Sequence, residues 1–113
     1  MTDDELNKLL ADVAGVKVAW VEETANWHAH WQVEHQGELC EEWNPLEDHN
    51  QIAQVKAGLR EQRLDYDITW DSRAHHCWIS AVDDQRGLDY YHATHRDELR
   101  AFAEAIAKMK GAE

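Results

Sequence analysis

The sequence predicts an α+β fold in which a mainly antiparallel sheet is covered by three helices, in the order α-β-β-β-α-β-β-(β)-α. Apolar residues recur at helical spacing in three segments of the chain. Between these segments apolar and polar residues alternate, and short polar turns separate the alternating runs, as is typical of consecutive antiparallel strands. We expect residues 1–113 to form a single α+β domain, because a chain of this length can bury one core.

The first helix is predicted from its two ends. Thr2 and Glu5 form a T-x-x-E capping box, in which the two side chains bond free amides of the first turn. Leu6, Leu10 and other apolar residues then fall on one face, and Gly15 ends the helix. A short alternating segment at residues 16–21 follows and predicts the first strand.

The next two strands are predicted at residues 27–34 and 39–43. Trp27 and Trp31 share one face of the first of these strands, and we expect both in the core beneath a helix. His28 and His30 point to the other face. Because proline lacks the amide donor, Pro45 ends this hairpin, and a second helix is predicted over residues 47–63.

The second half repeats this pattern. Residues 65–71 and 75–82 predict a hairpin, residues 83–87 a polar turn, and residues 88–93 one more short strand. Thr94 to Asp97 has the spacing of a second capping box, which predicts the start of the last helix. That helix ends at Gly111.

Three features of the sequence resemble one known family. They are the run Asp4-Glu5-Leu6-Asn7-Lys8-Leu9-Leu10, the motif Trp43-Asn44-Pro45 followed by Glu47 or Asp48, and an Ala-rich last helix. Together they resemble the phage ABA sandwich domain family of small bacteriophage and prophage proteins. The resemblance implies a phage-related origin and a helix–sheet–helix fold, and it implies no catalytic residues.

The composition is strongly acidic. There are 23 Asp and Glu residues against 11 Lys and Arg, for a formal net charge of −12. A phosphate partner would be repelled, which argues against direct binding of nucleic acid or of an anionic membrane. The sequence has no apolar run of membrane-spanning length and begins with a polar segment, so we expect no membrane span and no signal peptide. The compartment predicted is the host bacterial cytoplasm.

The negative charge is concentrated in the first half, where residues 1–55 hold 12 acidic and 2 basic residues. One interpretation is a solvated surface that keeps the protein soluble. The other is an acidic interaction face, since carboxylates two residues apart on a strand lie about 6.8 Å apart on one side and resemble a row of phosphates. The residues assigned to partner binding are Glu34, Glu38, Glu41, Glu42, Glu47, Asp48, Asp65, Asp67, Asp71 and Trp78.

Six tryptophans leave two interpretations open. Large aromatic residues pack cores, and they are also enriched at binding hot spots. Trp78 has the opposite parity from Cys77 and Ile79 on its strand, so either one side of the strand leaves aromatic surface partly exposed or both faces are buried. A homodimer through strand edges or exposed aromatic residues is a second kind of partnership that these residues allow.

Eight histidines require a test for metal sites. His28-x-His30, His75-His76-Cys77 and His92-x-x-His95 are candidates, but no recognised zinc framework is present. We therefore expect no metal and no cofactor. Cys40 or Cys77 beside a histidine is the remaining candidate for a nucleophile, and no serine-hydrolase elbow or P-loop occurs.

The function predicted is that of a non-enzymatic phage or prophage accessory protein. It would bind a bacterial protein with a basic surface through the acidic face. In this way it would mimic DNA and inhibit a nucleic-acid-handling defence complex. The alternative is a module that sequesters a small ligand or metal ion through its His and Trp residues. An unrecognised hydrolase is the third hypothesis.

Overall fold

A computed structural model describes residues 2–81 and 90–111 and contains three helices and six strands. In chain order they are α1 (Asp3–Ala14), β1 (Val18–Val21), β2 (His30–His35), β3 (Glu38–Glu42), α2 (His49–Glu61), β4 (Leu64–Trp70), β5 (His75–Ala81), β6 (Tyr90–His95) and α3 (Glu98–Met109). The α+β fold class is confirmed. The expected sheet is divided into two antiparallel sheets, ordered β1-β2-β3 and β4-β5-β6.

Helix α1 begins and ends where the sequence predicts. The Thr2 side chain accepts from the Glu5 amide while the Glu5 carboxylate accepts from the Thr2 amide, which completes the capping box. Gly15 closes the helix in the left-handed conformation, with φ of 71°, which glycine adopts without strain.

The core is built where the helices meet each other and the inner faces of the sheets. Helix α3 packs on β5 and β6, α2 contacts β4, and α1 contacts both other helices. Fully buried side chains include Leu10, Val55, Leu59, Phe102 and Ile106. Two indole N–H groups tie the first sheet to α1, because Trp31 donates to the Asp4 carbonyl and Trp43 to the Asn7 carbonyl.

The predicted start of the second strand at Trp27 is wrong. Trp27 lies before β2 and is 63% exposed instead of packing beneath a helix. The reason is local, since the Trp27 amide donates to Thr24 Oγ1 and the Thr24 amide donates to the Trp27 carbonyl. These bonds keep the Trp27 backbone in a turn, so the strand begins at His30.

The starts of the other two helices also differ from expectation. Asp48 is the N-cap of α2 and accepts from the Asn50 and Gln51 amides, so the helix begins at His49. Thr94 is not a cap, because it pairs with His76 inside β6. Asp97 caps α3 instead, accepting from the Leu99 amide.

Two other predictions fall partly or wholly outside the described residues. The polar turn at residues 83–87 lies outside them, as do residues 88 and 89 of the predicted sixth strand. The rest of that strand is described as β6, which continues to His95. In the described part of the chain, no helix is both long enough and apolar enough to cross a membrane.

Candidate functional site: an acidic and aromatic sheet face

The residues predicted to bind a partner are distributed between the two sheets. Glu34, Glu38, Glu41 and Glu42 lie in the first sheet, and Glu47 and Asp48 in the segment that follows it. Asp65, Asp67 and Trp78 lie in the second sheet, with Asp71 directly after β4. The structure therefore separates the predicted acidic face into two groups on different sheets.

Most residues of the first group have a local structural role. Glu34 pairs with Lys17 at 3.3 Å, Glu47 accepts from the Asn44 side chain, and Asp48 caps α2. Glu38 and Glu41 are exposed on β3, which pairs only with β2 among the described strands. Charged side chains on an edge strand oppose pairing with a second sheet. Protection of this strand edge explains the charges of Glu38 and Glu41 without a binding partner.

The second group forms one surface, which we call the acidic–aromatic face: Asp65, Asp67, Asp71, His76, Trp78 and His92. The strand register creates it, because Asp67 lies opposite Trp78 and Trp78 lies opposite His92. Cys77 and Ile79 alternate with these residues on β5 and are fully buried against the helices. The acidic–aromatic face is therefore the outer face of the sheet.

Three flat rings are stacked on the acidic–aromatic face. The centroids of Trp78 and His92 are 4.5 Å apart with planes 13° from parallel. His76 stacks on His92 at 5.3 Å and on Trp78 at 5.6 Å. Because Trp78 is half-buried while His92 is exposed, the stack presents π surface to solvent on an ordered platform.

Hydrogen bonds hold the rings in place. His76 Nε2 lies 2.5 Å from Asp71 Oδ2, and His76 Nδ1 lies 3.1 Å from His92 Nε2. The bond from His76, followed by those from the Ala74 and Arg73 amides, lowers the pKa of Asp71 to about 2. Burial, then the charges of His76 and Lys108, lower the pKa of His92. At neutral pH Asp71 is thus ionised and His92 is uncharged.

This arrangement is suited to binding a cation. Carboxylates accept charge-assisted hydrogen bonds from Lys and Arg, and the face of an indole attracts the same groups. Asp65 and Asp67 lie on β4, the strand that pairs with the Trp78 strand β5. A Lys or Arg side chain that stacks on the Trp78 ring therefore has these two carboxylates nearby.

Cys77 does not add a nucleophile to this face. Its side chain is fully buried on the opposite side of β5. Burial, with a smaller effect from the Asp67 charge, raises the pKa of the Cys77 thiol to about 12, so the thiolate that a nucleophile needs is not formed.

His76 and His92 belong to this face but are not among the residues that the sequence predicts to bind a partner. The parity of β5 places His76 and Trp78 on one side, and this signal was present in the sequence. Adding His92 requires the register between β5 and β6, which the polar turn predicted at residues 83–87 does not by itself define.

The other candidate histidines have different surroundings. His75 Nδ1 lies 2.9 Å from the Arg96 carbonyl, and His95 Nδ1 accepts from the Asp97 amide, so both bond nearby backbone. At the first sheet, one donor atom from each of His28, His30 and Glu42 lies within 4.8 Å of the others. Among the described residues, this is the group whose arrangement is able to hold a metal ion.

Comparisons of the chain with family models, curated proteins and solved structures give no match. The resemblance to the phage ABA sandwich domain family therefore stays a prediction from the sequence.

Proposed function

We propose that this protein is a non-enzymatic phage or prophage accessory protein that binds a bacterial protein with a basic surface through the acidic–aromatic face. The observation that carries the proposal is the register of the second sheet, which places Asp67 beside the stacked Trp78 and His92 rings. A partly buried tryptophan next to carboxylates combines the two components of a strong contact, apolar area and directed charge.

The class of partner that fits these carboxylates and rings is a protein whose surface normally binds nucleic acid. Such surfaces present Lys and Arg side chains spaced to meet phosphates. Asp65 and Asp67 are two residues apart on one strand face, about 6.8 Å from each other, so they offer acceptors in a similar row. The proposed target is therefore a nucleic-acid-handling defence protein in the host cytoplasm.

The test compares two charge-matched double variants in capture experiments from bacterial lysate. D65N/D67N removes charge from the acidic–aromatic face, and E38Q/E41Q removes the same charge from the edge strand β3. We expect a basic protein captured by the unchanged chain to be lost with D65N/D67N and retained with E38Q/E41Q. Equal loss with both variants, or loss with neither, contradicts the proposal.

Trp78→Ala tests the aromatic component separately. Because Trp78 lies on the outer face, we expect the variant to fold and to bind the captured protein at least about 30-fold more weakly, the effect typical of a hot-spot residue. Circular dichroism checks the fold. An unfolded Trp78→Ala chain shows that the ring belongs to the core, and a folded variant with full affinity excludes it from the interface.

A further inference from the structure

The first sheet brings three metal-binding side chains together from separate places in the sequence. His28 precedes β2, His30 begins it, and Glu42 ends the antiparallel neighbour β3. His28 Nε2 lies 3.2 Å from Glu42 Oε1, and one donor atom from each of the three residues lies within 4.8 Å of the others. Antiparallel pairing produces this meeting, because the end of β3 lies beside the start of β2.

The imidazole of His30 is held in the form that a metal requires. His30 Nδ1 lies 2.6 Å from the His28 carbonyl oxygen, which only accepts, so Nδ1 carries the proton. The lone pair is then on Nε2, where the Gln32 side-chain amide donates to it at 2.9 Å. An ion bound at Nε2 takes the place of this amide, which is on an adjacent, partly exposed side chain. Metal-binding histidines in proteins characteristically donate their second ring N–H to a backbone carbonyl in this way.

The backbone around Glu42 is also fixed. The buried side chain of Gln51 donates to the Glu42 carbonyl at 2.7 Å and accepts from the Asn44 amide at 2.6 Å. Glu42 is thus anchored to α2 while its carboxylate stays about half exposed. The carboxylate contacts His28 Nε2, and an ion bound between these two exposed side chains takes the place of the proton that they share.

A cavity of about 190 Å³ adjoins the three residues and has a negative lining. Asp4 and Glu47 are acidic residues of its lining. Asp3 and Arg100 also line the cavity, but they form an ion pair with each other and add no net charge. The electrostatic field of this lining favours a cation.

Asn7 gives an independent indication of a ligand in the cavity. Its side chain is 5% exposed and lines the cavity wall. Its Nδ2 donates to Asn44, but its Oδ1 is buried and has no hydrogen-bond donor in the described part of the protein. A buried acceptor without a donor is costly, and a water molecule bound to an ion in the cavity would supply one.

We propose that His28, His30 and Glu42 bind a divalent transition-metal ion of the zinc type, with a fourth position open toward the cavity. Two imidazoles select Zn²⁺ and its neighbours over Mg²⁺ or Ca²⁺, which prefer oxygen ligands. Bonds of about 2.0–2.2 Å draw the three donors closer together. The exposed side chains of His28 and Glu42 have room for that movement, while His30 stays fixed.

The test is zinc titration of tag-free protein by isothermal calorimetry, with cobalt absorption spectra as a report on coordination. We expect one Zn²⁺ per chain and a cobalt spectrum typical of nitrogen and oxygen ligands. His28→Ala and Glu42→Gln should each weaken zinc binding at least about tenfold, because each removes one of three ligands from an exposed position that the fold does not need.

His35→Ala is the matched control, since it removes an exposed histidine from the other end of β2. It should leave zinc affinity unchanged. The proposal is wrong if the unchanged chain shows no saturable zinc binding, or if His28→Ala and Glu42→Gln bind as tightly as His35→Ala. It is also wrong if binding is instead lost in the double variant H76A/H92A, which would place the ion on the second sheet.

Discussion

At the scale of single residues, Cys40 and Cys77 show how strongly position controls the same chemistry. Cys40 lies exposed on the edge strand β3, with its Sγ 3.6 Å from the Glu38 carbonyl. Cys77 is fully buried on the inner face of β5, where burial raises the pKa of its thiol to about 12. A thiol in that environment stays protonated and inaccessible to reagents.

We therefore expect the native protein to react with a thiol reagent such as DTNB at Cys40 alone. Cys77 should stay unreactive until the chain unfolds, because it is fully buried. The measurement is the amount of thionitrobenzoate released with and without guanidinium chloride. Cys40→Ser provides the control and should show no rapid reaction in the native state. A rapid reaction in that variant would contradict the burial of Cys77.

Residue-level prediction from the sequence succeeds where the signal is local. Parity along β5 separates Trp78 from Cys77, and this needs no knowledge of neighbouring strands. The meeting of His30 with Glu42 depends instead on the register of β2 and β3, which shifts between Gln32 and Glu34. A bulge of this kind changes which residues lie opposite each other, and the sequence has no marker for it.

At the scale of secondary-structure elements, α2 lies close against the end of α1 at Gly58. A Cβ atom at this position would lie 2.2 Å from the Val13 carbonyl oxygen and 2.9 Å from the Ala14 Cα. These are backbone atoms at the end of α1, which cannot move aside by changing a rotamer. The same Val13 carbonyl accepts from the Gln62 side chain one turn later in the chain.

Gly58→Ala should therefore destabilise the protein by about 2 kcal/mol, because overpacking against backbone outweighs the gain of about 1 kcal/mol in helix propensity. Chemical denaturation measures the change in the free energy of unfolding. Ala57→Gly is the control, because Ala57 is exposed on the same helix. Its replacement should lower the free energy of unfolding only by the difference in helix propensity between alanine and glycine, about 1 kcal/mol. If Gly58→Ala is as stable as the unchanged chain, α1 and α2 do not pack as described.

The order of helices and strands follows from the sequence more completely than their boundaries do. Period-two and helical patterns identify each described element, and the T-x-x-E box locates the start of α1. The same motif is misleading at Thr94, because pairing with His76 keeps that residue in β6. A capping motif states a local preference, and a strand that gains a full set of pairing bonds overrides it.

At the scale of the whole molecule, the formal net charge of −12 acts on the free protein and on any complex in opposite directions. Like charges repel more strongly in the compact state, so screening by salt stabilises the free chain. A complex with a basic partner depends on attraction between exposed charges, so the same salt weakens it. One salt titration therefore separates the two effects.

We expect the melting temperature of the free protein to rise by roughly 3 °C between 20 and 300 mM NaCl, because ion pairs such as Lys8 with Asp12 are exposed and contribute less than the overall repulsion. Differential scanning fluorimetry measures this shift. E38Q/E41Q lowers the repulsion at the edge strand, so its melting temperature should be higher at low salt and should rise less. A melting temperature that falls with salt, in either protein, would mean that paired charges stabilise the fold more than repulsion destabilises it.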